Sequence, residues 1–385
     1  MSDSHPASIA ASTIKETASP KKEHYPWLDW LRFAAAMIVF LGHTRGALFV
    51  EYGGLPPEQK NPLVALLFAI TRLGNEAVII FFVLSGFFVA GRGTVRLWQG
   101  KFSIPDYARD RLVRIYTPYI PALLLTIICA LCLPQTESLA NLAINFVGNL
   151  FGLQGIFVPS LGGNVSLWSL TYEIWFYVIL GAAAGFSQWQ RQRPVFTYLS
   201  VLVLLLAAIA FTHLSATYLM CWIIGGLAFW YRPTQWQYRH FVITISMVLF
   251  ALVGVQIRSN SVSVTLPAWT VIFPSVGINQ LILAVGIAAL IPQLILLVPR
   301  TKIAQKLDNL GTFLASFSYT LYLIHYPLVK VIQHWLFPKS NTLSLNSVTN
   351  FLIACGLILG SSFLLYLPFE KQTYKFRQWL HQFMH

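Results

Sequence analysis

Charge is what this sequence has least of. Only 10% of its 385 residues are Asp, Glu, Lys or Arg, while 56% are apolar and 15% aromatic. A soluble domain ordinarily carries about a quarter charged residues, so this little polar surface cannot cover a globule of such length in water. A mean hydropathy of +0.63 points the same way, to the bilayer as solvent. Acid is scarcer than base, with 13 Asp and Glu against 26 Lys and Arg. A basic surplus suits nucleic acid when the cations form a stripe interleaved with base-stacking aromatics. Here they sit in short clusters between apolar runs, the pattern of the positive-inside rule, and no nucleic-acid partner is expected.

Other absences narrow the reading further. The four cysteines, Cys129, Cys132, Cys221 and Cys355, all fall in apolar segments, where a thiol behaves as a small hydrophobe. Cys129 and Cys132 make a lone C-x-x-C with no second pair and no His at ligand spacing, so neither a disulfide nor a metal is assigned. No repeat of fixed period and no inverted duplication is evident. Residues 1–24 lack the apolar stretch of a secretory signal and read as a disordered cytoplasmic tail. A single membrane domain is expected over 25–371, with a short cytoplasmic tail over 372–385.

What the sequence does have is apolar runs. A membrane span needs about 20 mostly apolar residues, and ten segments meet or approach that: 27–50, 76–91, 115–133, 165–186, 195–212, 215–231, 241–257, 274–297, 312–336 and 348–369. The stretch 62–73 is too short and reads as an interfacial or re-entrant helix. The fold class expected is an all-α polytopic bundle of about ten transmembrane helices with both termini cytoplasmic. In that orientation most of the 26 cations lie inside. Only Arg45, Lys60, Arg72, Arg258, Lys330 and Lys339 fall at or beyond the opposite face, with Arg32 in the first span. The longest external loops, 51–75, 134–164 and 258–273, are candidates to line an acceptor cleft.

An ionisable side chain inside a span is costly and marks a functional site by default. Arg32 and His43 stand eleven residues apart in the first span, which at about 100° per residue returns to nearly the same face, about 16 Å along the axis. Asp29 is placed to pair with Arg32. Glu173 lies among aromatics in the fourth span and must be neutralised by a proton or a partner. His43 is the partner expected, since a carboxylate on an imidazole fixes its tautomer and raises its basicity. Ser169 is one turn away, and a purely local bonded cluster is the alternative. Ser318, Tyr322 and His325 share a face in the ninth span. Pro327 there frees a backbone carbonyl that another group must satisfy, so His325 has either a bracing or a substrate-contacting role. Arg109, Arg111 and Arg114 precede the third span, and Arg111 with Arg114 on one face suits a phosphate clamp, with ordinary positive-inside anchoring as the alternative.

These strings resemble the acyltransferase family 3 membrane proteins. The resemblance rests on Leu28 to Arg32 followed by His43 after ten residues, Phe81 to Phe87 including Ser85, the Arg-x-x-Arg of Arg111 and Arg114 before Pro118, Trp168 to Glu173, and Ser318 to Pro327. They occur in the expected order over nearly the whole membrane region. Two departures stand out: Trp30 and Phe33 occupy positions where the family often has Gly, and the C-terminal periplasmic hydrolase-like domain of many relatives is not found in these residues. The resemblance implies transfer of an acyl group, usually acetyl, from cytoplasmic acyl-CoA to a hydroxyl of an envelope glycan or glycolipid, in the bacterial inner membrane, with envelope-assembly proteins as further partners. On that reading His43 and Glu173 are catalytic, Arg32, Arg111 and Arg114 hold the acetyl-CoA donor, and Trp168, Ser169, His325 and Ser85 bind substrate or support the site. Two chemistries stay open, general-base attack and a covalent acyl-imidazole on His43. A transporter or flippase using the buried His and Glu as a proton relay is the alternative from another class, and an envelope scaffold a third.

Overall fold

A computed structural model describes residues 24–134, 137–188, 194–260, 272, 274–299 and 301–383. The expected N-terminal tail falls almost wholly outside them, as does most of the loop 258–273. The described residues form helices and contain no named strand. In chain order the helices are α1 (Pro26–Leu48), α2 (Pro62–Thr71), α3 (Gly74–Ser85), α4 (Arg92–Trp98), α5 (Ile104–Leu131), α6 (Leu139–Leu150), α7 (Trp168–Ser187) and α8 (Pro194–His213). They continue with α9 (Ala216–Ala228), α10 (Tyr238–Asn260), α11 (Val276–Leu296), α12 (Lys302–Ser316), α13 (Ser318–Trp335), α14 (Leu345–Tyr366) and α15 (Thr373–Phe383). A π-turn over Gly86–Gly91 joins α3 to α4.

Local chemistry sets many of these ends. Asn61, Ser103, Ser138, Thr301 and Ser344 each accept a backbone N–H from the first turn they precede, satisfying donors that the helix itself cannot. Pro26 and Pro62 open their helices where no donor is needed.

Seven helices among the described residues are long and apolar enough to cross a membrane, so the protein is a polytopic helical membrane protein. Three of the ten expected segments fall short of that standard. α9 has only 13 residues, and α1 and α13 are diluted by polar residues, the ones that build the site. α1 packs against α3, α12 and α13, and α13 packs against α5 and α14. α8, in contrast, keeps few residues buried, as expected of a helix facing lipid.

Several expected boundaries move. The segment expected at 312–336 is two helices, α12 and α13, broken at Phe317. The third span begins at Ile104, so Arg109, Arg111 and Arg114 lie within α5, not before it. The helix can continue outward because its charges are partnered: Arg109 bonds Asp106 at 2.7 Å and Arg377 bonds Asp110 at 2.9 Å. The expected C-terminal tail holds α15. The stretch 62–73 forms the short, largely exposed α2, and the expected external loop 134–164 contains α6.

Close helix contact depends on glycine at two positions. A Cβ on Gly86 would come within 1.9 Å of the Trp222 carbonyl oxygen, and one on Gly311 within 2.5 Å of Trp30 Nε1. The first lets the π-turn seat against α9, as small residues do in membrane bundles. The second makes room for Trp30, which donates to Leu307 O at 3.1 Å. The bulky residue in α1 is thus accommodated by a glycine in α12.

Candidate functional site

α1, α5, α7 and α13 enclose a lane of polar side chains. On α7 and the turn before it, Ser166, Ser169, Glu173 and Tyr177 recur at helical spacing and face one way. On α13 the corresponding row is Ser318, Tyr322 and His325, all buried. The two rows meet rung by rung: Ser169 Oγ and Tyr322 OH are 2.7 Å apart, and Ser166 Oγ lies 3.3 Å from His325 Nε2.

At one end of the lane stand two histidines. His43 Nδ1 is 2.8 Å from His325 Nε2. The ring centroids are 5.1 Å apart and the planes only 11° from parallel. The nitrogen separation is shorter than the centroid separation by two imidazole radii, so the bond runs edge to edge in the plane of both rings. His325 Nδ1 lies 3.0 Å from the Leu321 carbonyl, which can only accept, so Nδ1 carries the proton and the neutral ring presents a bare Nε2. That bare nitrogen must accept from His43, placing a proton on His43 Nδ1 and leaving His43 Nε2 as a lone-pair acceptor. A backbone carbonyl thereby sets the tautomer of both rings. Phe40 and Tyr326 hold them edge-on.

His325 does not brace the Pro327 break. The carbonyl that Pro327 leaves without an i+4 donor is that of Leu323, and Asn164 Nδ2 donates to it at 3.0 Å. Asn164 also donates to Thr126 Oγ1 at 3.3 Å and accepts from Ser166 N at 3.2 Å. One buried amide therefore ties the turn before α7 to α5 and α13 and sets Ser166 beside His325.

At the other end of the lane are the cations. Arg32 pairs with Asp29 at 3.3 Å, as its spacing predicts. Arg114 interacts electrostatically with Glu173 and Glu370, and Arg32 with Glu370 and Arg114. Arg114 is exposed to solvent and yet surrounded by groups from α7, α13 and the segment before α15. Arg111 lies over the rings of Tyr107 and Tyr177, and its Nε has no hydrogen-bond partner. A donor with several phosphates fits such a partly unsatisfied arginine cluster.

Glu173 belongs to this end. Its carboxylate accepts from Tyr177 OH at 2.5 Å, and Tyr177 OH is 3.2 Å from Ser85 Oγ. Among the described residues Glu173 and His43 share no hydrogen bond or ion pair. The physical reason is axial: Glu173 lies seven residues from Ser166, about 10 Å along the helix, and it is Ser166 that is level with the histidines. The structure thus pairs His43 with His325 where the sequence suggested Glu173. Trp168 packs edge-on against Phe82 and Tyr172 and at a tilt against Tyr218 and Ser169 bonds Tyr322, so both support the lane wall.

A model of the acyltransferase domain of this family matches residues 25–367. The chain belongs to the acyltransferase 3 family. The regions similar to curated relatives are shorter. Over 144 residues it is 29% identical to an uncharacterized protein of Haemophilus influenzae, covering 34% of the present chain and 59% of that one. Over 164 residues it is 29% identical to acyltransferase MdmB of Streptomyces mycarofaciens, covering 41% of the present chain and 39% of that one. The chain thus aligns with less than two thirds of either relative's length. No solved structure matches.

Three residues of the lane escaped the sequence reading. Asn164 sits just before the fourth apolar segment, where Asn reads as loop, and Ser166 lies at the very start of that segment with no local feature to single it out. Glu370 lies just past the last, beside Lys371, outside the apolar runs in which polar residues were singled out. It accepts from Thr320 N at 3.0 Å and Thr320 Oγ1 at 2.6 Å. Thr320 is the first-turn hydroxyl of α13, and its neighbour in the sequence row, Ser318, was the only hint. All four cysteines are free.

Proposed function

We propose that the protein is a membrane-bound O-acyltransferase of the bacterial inner membrane. It moves an acyl group, acetyl in the simplest case, from cytoplasmic acyl-CoA to a hydroxyl of an envelope glycan or glycolipid. The observation that carries this reading is the hydrogen-bonded series from the Leu321 carbonyl through His325 to His43, which leaves a lone-pair nitrogen on an imidazole that lines a cavity of about 480 Å³.

The roles divide along the lane. Arg111, Arg114 and Arg32 hold the phosphates of the donor at the cytoplasmic end, and the pantetheine arm extends toward the histidines. The acceptor hydroxyl enters from the opposite side. His43 Nε2 takes its proton as the oxygen forms the new ester bond to the acyl carbon. The carbon–sulfur bond breaks in the same exchange, and the proton passes from His43 to the departing thiolate. His325 is a positioning residue: it holds His43 in the tautomer that can accept. Glu173 serves the donor end, where with Tyr177 it offsets the arginine charge.

The test is acyl transfer by purified protein in nanodiscs, followed as free thiol and as esterified sugar by mass spectrometry. Product from the unaltered protein and none from His43→Ala is the expected result. Thiol release that is independent of His43 would overturn the assignment. Labelled acyl trapped on His43 without acceptor would replace direct attack with a covalent relay.

A further inference from the structure

The cavity beside His43 is unusual for what else lines it. Arg45 of α1, Arg72 at the end of α2, Lys330 of α13 and Lys339 in the loop after it all face the same space, with Glu51 the single carboxylate among the lining residues. These are four of the six cations that the sequence leaves at or beyond the outer face. Cations are disfavoured there by the positive-inside rule, and a random scatter would not bring most of them to one cavity from four separate chain segments.

The cavity is also built. Ser340 N donates to Leu48 O at 2.8 Å and Val50 N to Ser340 O at 3.0 Å, so the loop carrying Lys339 is stitched to the end of α1. Leu343 N adds a bond to Gln59 Oε1 at 2.7 Å. Arg45 is only 7% exposed. It lies 4.5 Å from the centroid of Phe68 and pairs with Glu51 at 3.2 Å, yet its Nε and Nη1 have no hydrogen-bond partner. Lys330 and Lys339 are exposed and have no carboxylate at ion-pair distance among the described residues. A concave, low-dielectric wall with this excess of one sign concentrates its field on the opening. The volume, about 480 Å³, lies in the range of small-molecule pockets.

We propose that this cavity selects an acceptor bearing a negatively charged group, a carboxylate or a phosphate, close to the hydroxyl offered to His43. The inference rests on the acyl-transfer reading for what happens to that hydroxyl, but charge selection at the cavity is a property of binding alone. Lys330 and Lys339 reach the anion first from the rim, and Arg45 and Arg72 set the depth at which it stops.

The test uses the full chain in phosphatidylcholine nanodiscs with no acyl donor, and three soluble probes measured by saturation-transfer NMR. They are methyl glucuronoside, glucose 1-phosphate and the neutral methyl glucoside. At least one anionic probe should bind about tenfold more tightly than methyl glucoside, the increment of one charge-assisted hydrogen bond. Which anion is preferred tells a carboxylate-bearing sugar from a phosphate ester. The double variant Lys330→Gln, Lys339→Gln should lose most of that preference, while Lys60→Gln, an outer cation away from the cavity, should keep it. Equal binding of all three probes, or a preference that survives the double variant, overturns the proposal. Transfer assays on the same probes separate the two readings. A charge preference without any ester product would sink acyl transfer and leave the anion site standing. Product formed equally well on methyl glucoside would sink the anion site and leave acyl transfer standing.

Discussion

The two ends of the polar lane handle buried polarity in opposite ways. Around Arg32 and Arg114 ionisable groups are gathered, the two guanidinium groups set against the carboxyl groups of Asp29, Glu173 and Glu370, so that the lane offers an electrostatic surface. Around His43 no carboxylate among the described residues bonds either imidazole, and the two rings satisfy one another and a backbone carbonyl. An arginine-bearing cluster suits a ligand that arrives with phosphates. A neutral pair of defined tautomer suits the handling of a proton. The same bundle holds both because they are separated by three turns of α1, about 16 Å.

Substitutions at each end should therefore fail differently, and the largest failure should be at the neutral one. His43→Ala is expected to lower the rate of transfer by about 10²- to 10⁴-fold, the usual worth of a positioned base, with unchanged donor binding and normal insertion. Equal loss of donor affinity would merge the two ends into one site. Next in size, Arg111→Ala and Arg114→Ala should each raise KM for acyl-CoA by about 10- to 100-fold, from loss of charge-assisted bonds, with kcat changed little. A kcat effect without a KM effect would move the arginines out of the donor site.

The partner assigned to His43 is open to a direct contest. His325→Gln should cut kcat about tenfold, as loss of one orienting bond would, and alter the pH–rate profile, whereas Glu173→Gln should alter KM for the donor and leave the profile in place. The reverse outcome would restore a histidine–carboxylate pair. The smallest of these effects should come from Asn164→Ala, which leaves the Leu323 carbonyl buried and unpaired. It should destabilise the protein by about 1–3 kcal/mol, read as a lower melting temperature in detergent. No loss of stability would mean that another donor reaches that carbonyl.

How much of this was legible in the sequence varies along the lane. Arg32 and His43 could be placed on one face by counting, because both lie on one uninterrupted helix and helical periodicity carries that far. The carbonyl freed by Pro327 could be foreseen for the same local reason, though not the group that answers it. Pairing across helices was not legible. Glu173 was matched to His43 because a carboxylate is the commonest orienter of an imidazole, and only the vertical offset between α7 and α1 shows that Ser166 is level with His43. The start of α5 was set eleven residues late because its charges read as lying before the span, while Arg109 and Arg377 pair with Asp106 and Asp110 in the folded helix.

By itself the sequence determined that the protein lives in a membrane, that it is helical, and which few polar residues stand inside. Those facts follow from composition and from 3.6-residue periodicity, which act locally. Which polar residue meets which was decided only by tertiary structure, through helix offset and rotation, a proline-freed carbonyl taken by Asn164, and glycines that let backbones approach. Side chains from segments hundreds of residues apart have no local signal to announce that they will share one hydrogen bond.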